Sequence, residues 1–338
     1  MKRFQQRIPA LTIGLALALS IGIFGRDSVF AQDSIRFGTS SVGSTFYVLA
    51  VGMAELARKH AGLNATVEPL GGSTATVNGL GAGKLDVAMT NAGSAWTAYQ
   101  GKAPFKKPIA VALIAQGQPS LRYLVVRRDA GIKSPADLAG KTFIAKRRAL
   151  PEMDLIANAL LAAYGVPKNK VNVVETVETN QTTTALRAGT AQAAIIPGGM
   201  RLAPLEELIR DEIVDLLPLS GAKVDVLMRK LPDYLSKTNI PAGHFEKQST
   251  ASVAPTLNTY LIARGDLSEE TVYKLTKAVM GNLKEFAAYH AEAKHWTVEH
   301  TLAEPKVPFH PGAIRYYKEI GAWNPKLDAI QASLTRKP

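Results

Sequence analysis

The residues best placed to do chemistry are hydroxyls. Thr39, Ser40, Ser41, Ser44 and Thr45 crowd one short stretch between an apolar strand pattern at Ile35-Arg36-Phe37 and a helical pattern that opens at Phe46-Tyr47. Gly38 and Gly43 let this backbone turn and approach a ligand closely. A helix start presents unpaired N–H groups and the positive end of its dipole, so the loop is a seat for a carboxylate or phosphate. Its plainer reading is an ordinary strand-to-helix turn capped by Ser or Thr. Two further loops of the same make decide between the two. Gly71-Gly72-Ser73-Thr74 and Thr90-Asn91-Ala92-Gly93-Ser94 each follow a strand pattern and precede a helical one. Gly72, Ser73, Thr90 and Asn91 therefore join Thr39, Ser40, Ser41, Gly43, Ser44 and Thr45 as candidate ligand contacts, with Phe46 and Tyr47 as walls. In the second half Arg147 and Arg148 offer guanidinium forks for an anion, and Gly198 ends a strand pattern at Pro197-Gly198-Gly199.

Other chemistries fit poorly. The chain has no cysteine, which excludes disulfides, thiolate metal sites and cysteine nucleophiles. His290, His295 and His300 are five residues apart, a rotation of ~140° per step on a helix, so they share no face and no metal site is expected. Gly38-Thr39-Ser40-Ser41-Val42 lacks the last glycine of a nucleophile elbow. Ser220-Gly221-Ala222-Lys223 has no Lys-Thr-Gly companion, and neither a P-loop nor a dinucleotide fingerprint occurs. We expect no catalytic residues and no cofactor.

The elements that must position these residues alternate. Strand patterns at Ile35–Phe37, Asn64–Pro69 and Leu85–Met89 each lead into a small-residue loop and a helix. Ile109–Ala115 and Leu121–Val126 are further apolar runs. A second α/β series follows, with helices over Pro151–Tyr164 and Asn180–Ala188 and strands at Val171–Val174 and Ala193–Ile196. Late in the chain come an apolar strand at Pro255–Ala263 and two helices, Ser268–His290 and Pro311–Gly321. This order predicts an α/β protein whose ligand lies at the carboxyl ends of its parallel strands. No linker or low-complexity tract divides the halves. We expect one lobe from residues 33–124 and 257–338, a second from 125–256, and a cleft between them.

The N-terminus reads as an export signal over residues 1–31: Lys2, Arg3 and Arg7, an apolar run from Ile8 to Phe24, and Val29-Phe30-Ala31 before a cut near Gln32. The expected location is the periplasm. About 307 residues then remain, enough for two cores of common size. The formal charge of +12 falls to about +9 once Lys2, Arg3, Arg7, Arg26 and Asp27 leave. The remaining basic residues are scattered without an aromatic-studded groove, so nucleic acid is not an expected partner and small anions are.

The chain resembles the TAXI family of extracytoplasmic solute receptors that serve TRAP transporters. The likeness rests on Gly38-Thr39, Gly43-Ser44 and Phe46-Tyr47, then Gly71-Gly72-Ser73, Gly83-Lys84-Leu85-Asp86-Val87-Ala88 and Gly131-Ile132-Lys133-Ser134. It continues through Asn239-Ile240-Pro241-Ala242-Gly243 and Phe309-His310-Pro311-Gly312-Ala313. The resemblance implies a type II periplasmic-binding-protein fold, a monomer that closes on a small anionic solute such as glutamate, glutamine, a dicarboxylate or a keto acid, and docking on a TRAP-type permease. Where such receptors carry a Gly-Ser-Gly-Thr turn, this chain has Ala145-Lys146-Arg147-Arg148-Ala149-Leu150, so arginines replace the glycine seat. Alternatives are a receptor of the same fold serving an ABC importer or a sensor kinase, and an exported enzyme using the cleft.

Overall fold

A computed structural model of the protein describes residues 34–248 and 251–336; the export signal read in residues 1–31 lies outside them. The chain runs β1 (Ser34–Thr39), α1 (Thr45–Ala61), β2 (Asn64–Pro69), α2 (Ser73–Gly81), β3 (Val87–Asn91) and α3 (Ala92–Tyr99) into a 17-residue strand, β4 (Val111–Arg127). Next come β5 (Thr142–Lys146), α4 (Glu152–Ala163), β6 (Asn172–Glu175), α5 (Thr179–Ala188), β7 (Ala193–Gly198), α6 (Ala203–Arg210), β8 (Val214–Leu216) and α7 (Ala222–Arg229). After β9 (Ser236–Ile240), a second long strand, β10 (Ser252–Arg264), runs back. The helices α8 (Glu269–Met280), α9 (Leu283–Phe286), α10 (Val298–Leu302), α11 (Pro311–Glu319) and α12 (Pro325–Thr335) follow.

The strands form one sheet in the order β2-β1-β3-β10-β4-β7-β5-β6, with β8 on β4 and β9 on β10. Both ends of the sheet are parallel triplets, β2-β1-β3 and β7-β5-β6. The antiparallel pair β4 and β10 joins them. Each triplet has its own core. Phe37, Leu49, Met53, Val87, Leu261 and Val279 belong to the first. Around the second triplet, alternate residues of each strand point to opposite faces. Leu124, Phe143 and Ile195 pack under α4 with Met153 and Leu160. Tyr123, Ile144 and Ile196 pack on the other face with Leu186, Leu205 and Phe245. Strand β4 leaves the first core after Ala115 and enters the second group at Leu121.

That gap explains why sequence reading divides β4 into two runs. Gln116-Gly117-Gln118-Pro119-Ser120 is polar and carries a glycine and a proline, yet it stays in the ladder through a register shift. Asn258 of β10 faces Pro119 and Thr259 faces Gly117, leaving Gln118 as the extra residue of a β-bulge. Gly117 is required there, because a Cβ would lie 2.0 Å from the Trp296 ring. The helix expected over Ser268–His290 is also interrupted. It ends at Met280 with Gly281 as C-cap, and His290 caps a short 3₁₀ turn over Ala291–His295. The three histidines thus share no helix. Gly72 is the N-cap of α2, at φ 151°. Strand β9 and helix α12 are additions to the sequence reading. Among the described residues no helix is long and apolar enough to cross a membrane.

Candidate functional site

The carboxyl ends of the parallel strands in both triplets open onto one cavity of about 720 Å³. On the first side, β1 ends and the loop to α1 supplies Ser40, Ser41, Gly43 and Ser44, with Thr45 and Phe46 from the helix start; Gly72 comes from the loop after β2, Ser73 opens α2, and Asn91 ends β3, which runs straight into α3 without the loop expected over Thr90–Ser94. Ser44 caps α1, its Oγ accepting from Tyr47 N at 3.2 Å. That contact leaves the N–H groups of Thr45 and Phe46 outside the intrahelical ladder. Asn91 caps α3, with Oδ1 accepting from Ser94 N at 2.7 Å. The second side brings Arg147 from the end of β5 and Gly198 from the end of β7.

Four candidates stand off the cavity wall. Thr39 and Thr90 are fully buried behind it, and the Thr90 hydroxyl donates to Ser73 O at 3.4 Å. Tyr47 follows the lining residues into α1. Arg148 is exposed and lines nothing in the cavity; it stands on the turn after β5 that Leu150 N closes on Arg147 O at 2.9 Å.

The electrostatics rest on three buried charges: Arg122, Arg147 and Glu152, 1%, 8% and 2% exposed. Arg122 and Glu152 form an ion pair through the Arg122 Nη2, supported by Nε donating to Glu152 Oε1 at 3.2 Å. Arg122 Nη1 donates to Ser120 Oγ at 2.9 Å and Leu121 O at 3.0 Å. Asn91 Nδ2 lies 3.5 Å from the same Glu152 oxygen. Arg147 has no such partner. Its Nη1 and Nη2 both donate to the Thr179 hydroxyl at 3.3 Å, and its Nε is buried with no acceptor. Burial, and then the charge of Arg122, bring the Arg147 guanidinium down to about 10, against a smaller opposing pull from Glu178 and Glu152. Glu178 lines the cavity from an exposed position, and Arg201 pairs with Glu206 at 2.8 Å at the solvent edge.

Gln118, the bulge residue, also lines the cavity while being 2% exposed. Its Oε1 accepts from Trp296 Nε1 at 2.6 Å. An indole N–H only donates, so this contact fixes the amide orientation and leaves Nε2, a buried donor without an acceptor. Every unpartnered polar atom that Arg147 and Gln118 present is thus a donor, and Arg122, Arg147 and Glu152 together carry one net positive charge. Such an arrangement can hold an anion. Among the described residues no cluster of His, Asp or Glu could hold a metal ion.

Sequence reading missed Arg122, Glu152 and Gln118. A signal for the first was present: an arginine inside the apolar run Leu121–Val126 must find a buried partner. For Gln118 it was the Gly-Gln-Pro interruption within a strand pattern.

The two-sided architecture is the α/β type II periplasmic-binding-protein fold. The family model that matches is that of the NMT1-like family, over residues 37–321, and the chain belongs to that family. This corrects the TAXI assignment, which rested on short glycine and aromatic motifs. Among solved structures, PhnD1 from Prochlorococcus marinus (MIT 9301), in complex with methylphosphonate, aligns over 86% of this chain and 99% of its own, with 12% identity and a TM-score of 0.54. A protein of Bordetella bronchiseptica RB50 aligns over 89% and 92%, with 17% identity and a TM-score of 0.51. The alkanesulfonate-binding protein SsuA from Xanthomonas axonopodis pv. citri, bound to MOPS, aligns over 90% and 95%, at 13% identity and a TM-score of 0.45. At such identities the likeness is one of fold.

Proposed function

We propose that this protein is a non-enzymatic solute receptor of the periplasm that captures a small organic anion in the cavity between its two cores. The observation that carries this reading is Arg147. A buried guanidinium at a cavity wall, bonded only to one hydroxyl, lacks the carboxylate that buried charges ordinarily require. A bound anion would complete it. Membership of the NMT1-like family and the solute-bound relatives of the same fold support the receptor role. The candidates Ser40, Ser41, Gly43, Ser44, Thr45, Phe46, Gly72, Ser73, Asn91 and Gly198 would surround the rest of the solute. Thr39, Thr90 and Tyr47 would act by holding those loops. Strands β4 and β10, the links between the cores, would serve as the hinge. For delivery we propose an ABC-type importer, which the family placement leaves as the reading in place of a TRAP permease.

The test is a thermal-shift screen of residues 32–338 against sulfonates, phosphonates, carboxylates and amino acids, followed by calorimetry on Arg147→Met. A saturating ligand at a hundred times its dissociation constant stabilises by ~2.7 kcal/mol. The variant should bind about 10- to 100-fold more weakly, the scale of a charged hydrogen bond. Its own melting temperature should stay level or rise, because an uncompensated buried charge has gone. Equal affinity in wild type and variant would remove the anion reading.

A further inference from the structure

The two sides of the cavity touch at three places, and two of these rest on a glycine. Tyr234 of the second core packs on α3. Its ring centroid lies 5.4 Å from that of Trp96, and a Cβ on Gly93 would stand 2.7 Å from Tyr234 Cε2. At the end of β3, Asn91 Nδ2 reaches Glu152 Oε1 at 3.5 Å. The third contact is made by Ala149. A Cβ on Gly72 would lie 2.8 Å from the Ala149 Cβ, and the Thr74 hydroxyl donates to Ala149 O at 3.2 Å.

This third contact differs from the others in what it holds. Tyr234 and Glu152 are buried, so the packing of the second side fixes them. Ala149 is half-buried and belongs to neither core; it stands on the turn that carries Arg147 into the cavity wall. Opposite it, Gly72 opens α2 with a backbone that glycine alone adopts easily, and Ser73 follows in the wall. A methyl group against a bare Cα leaves no side chain to rotate away, so the separation is set by hard contact. The gap between Arg147 on one side and Ser73 with the loop of residues 40–44 on the other therefore depends on the size of residue 149.

We infer that Ala149 is the spacer of the closed cavity. Its methyl group, stopped by Gly72, sets how near the two sides come and so the size of solute the receptor selects. This deepens the receptor reading and rests on it, but the spacing itself can be measured without binding.

The test uses the chain's lack of cysteine. Thr66→Cys on β2 and Glu175→Cys on β6 place spin labels at exposed positions on the two outermost strands of the long sheet, where opening moves them furthest. Distances are measured by double electron–electron resonance on residues 32–338, alone and with methylphosphonate or phenylphosphonate in excess. The shortest population should lengthen stepwise from wild type through Ala149→Val to Ala149→Phe, with melting temperatures level. Thr74→Val, which removes only the hydrogen bond, should leave it in place. In calorimetry, Ala149→Val should raise the preference for phenyl- over methylphosphonate about 10-fold, the low end of what one methylene of pocket space is worth. Identical distances across the series would overturn the spacer, as would a wild type with no population as short as the structure holds these strands. A preference that moves toward methylphosphonate would show that residue 149 fills the cavity instead of propping it, and would overturn the size selection. If neither phosphonate bound the wild type, the receptor reading would lose ground, and the distances alone would decide the spacer.

Discussion

Two clusters in this protein have the same parts, two arginines and one buried carboxylate, and behave differently. At the amino ends of the first triplet, Asp86 accepts from Arg36 N and Nε at 2.9 Å each and from Arg264 Nε at 3.2 Å. Arg264 also reaches Asp266 at 3.0 Å, and both arginines are about a third exposed. Every charge has a partner or water. At the carboxyl ends, Arg122 is the one charged partner of Glu152, with Asn91 Nδ2 at 3.5 Å, and Arg147 is buried against a hydroxyl. The first cluster ties β1, β3 and β10 together and is finished. The second is one anion short, at the end of the sheet where the loops converge on a cavity. The comparison separates a structural ion cluster from a binding one by what is left unpaired.

The largest effect should come from Glu152. Glu152→Leu leaves Arg122 with an uncompensated buried charge and should cost about 3–5 kcal/mol in urea unfolding. The double variant with Arg122→Met should recover most of that, because removing both partners of a buried pair is close to neutral. A loss below about 1 kcal/mol in the single variant would mean that water or a shifted side chain already serves Arg122, and the contrast between the clusters would collapse.

Asp86→Asn should cost less, about 1–2 kcal/mol, since its exposed partners can turn to water. Burial alone would raise the Asp86 carboxyl, but the hydrogen bonds and charge of Arg36, with Arg264, outweigh it and hold the group below its usual value. The unfolded chain therefore takes up a proton at higher pH than the folded one. The stabilisation is complete above the ordinary aspartate range and is lost as pH falls through it toward the lowered value. Unfolding curves of wild type and variant should converge on acidification. A constant gap down to pH 3 would show that the carboxylate charge contributes nothing.

The two clusters also mark how far the sequence could be read. The first triplet was legible in order and place, although β3 runs Val87–Asn91 rather than Leu85–Met89, because its strands end in small, polar, turn-forming residues before a helix. Those are local signals, and Asn64–Pro69 coincides with β2. In the second half, Arg147 and Arg148 are equivalent by composition. Only the turn past β5, closed by Leu150 N on Arg147 O, buries one and exposes the other. Glu152 reads locally as a favourable acid in the first turn of α4, and its pairing with Arg122 spans 30 residues that no periodicity connects. The middle of β4 was the hardest, because what holds Gln116–Ser120 in the sheet lies in Trp296, Thr301 and β10, far along the chain. The family assignment rested on such short local motifs, whereas the NMT1-like match that overturns it runs over residues 37–321.

The finest test of the contrast is Gln118, whose amide has one end committed and one end open. Gln118→Leu removes the open donor and the acceptor for the Trp296 indole, so it should weaken anion binding about 5- to 10-fold while also loosening the bulge. Gln118→Glu separates these effects. One carboxylate oxygen can keep the Trp296 contact, but the other would stand where an N–H₂ stood in the cavity wall. The variant should fold as wild type does and bind anions more weakly than Gln118→Leu, because a negative charge then faces the solute. If Gln118→Glu bound the same solutes as wild type, the open Nε2 would face water rather than ligand. The unpaired charge of the second cluster would then reduce to Arg147 alone.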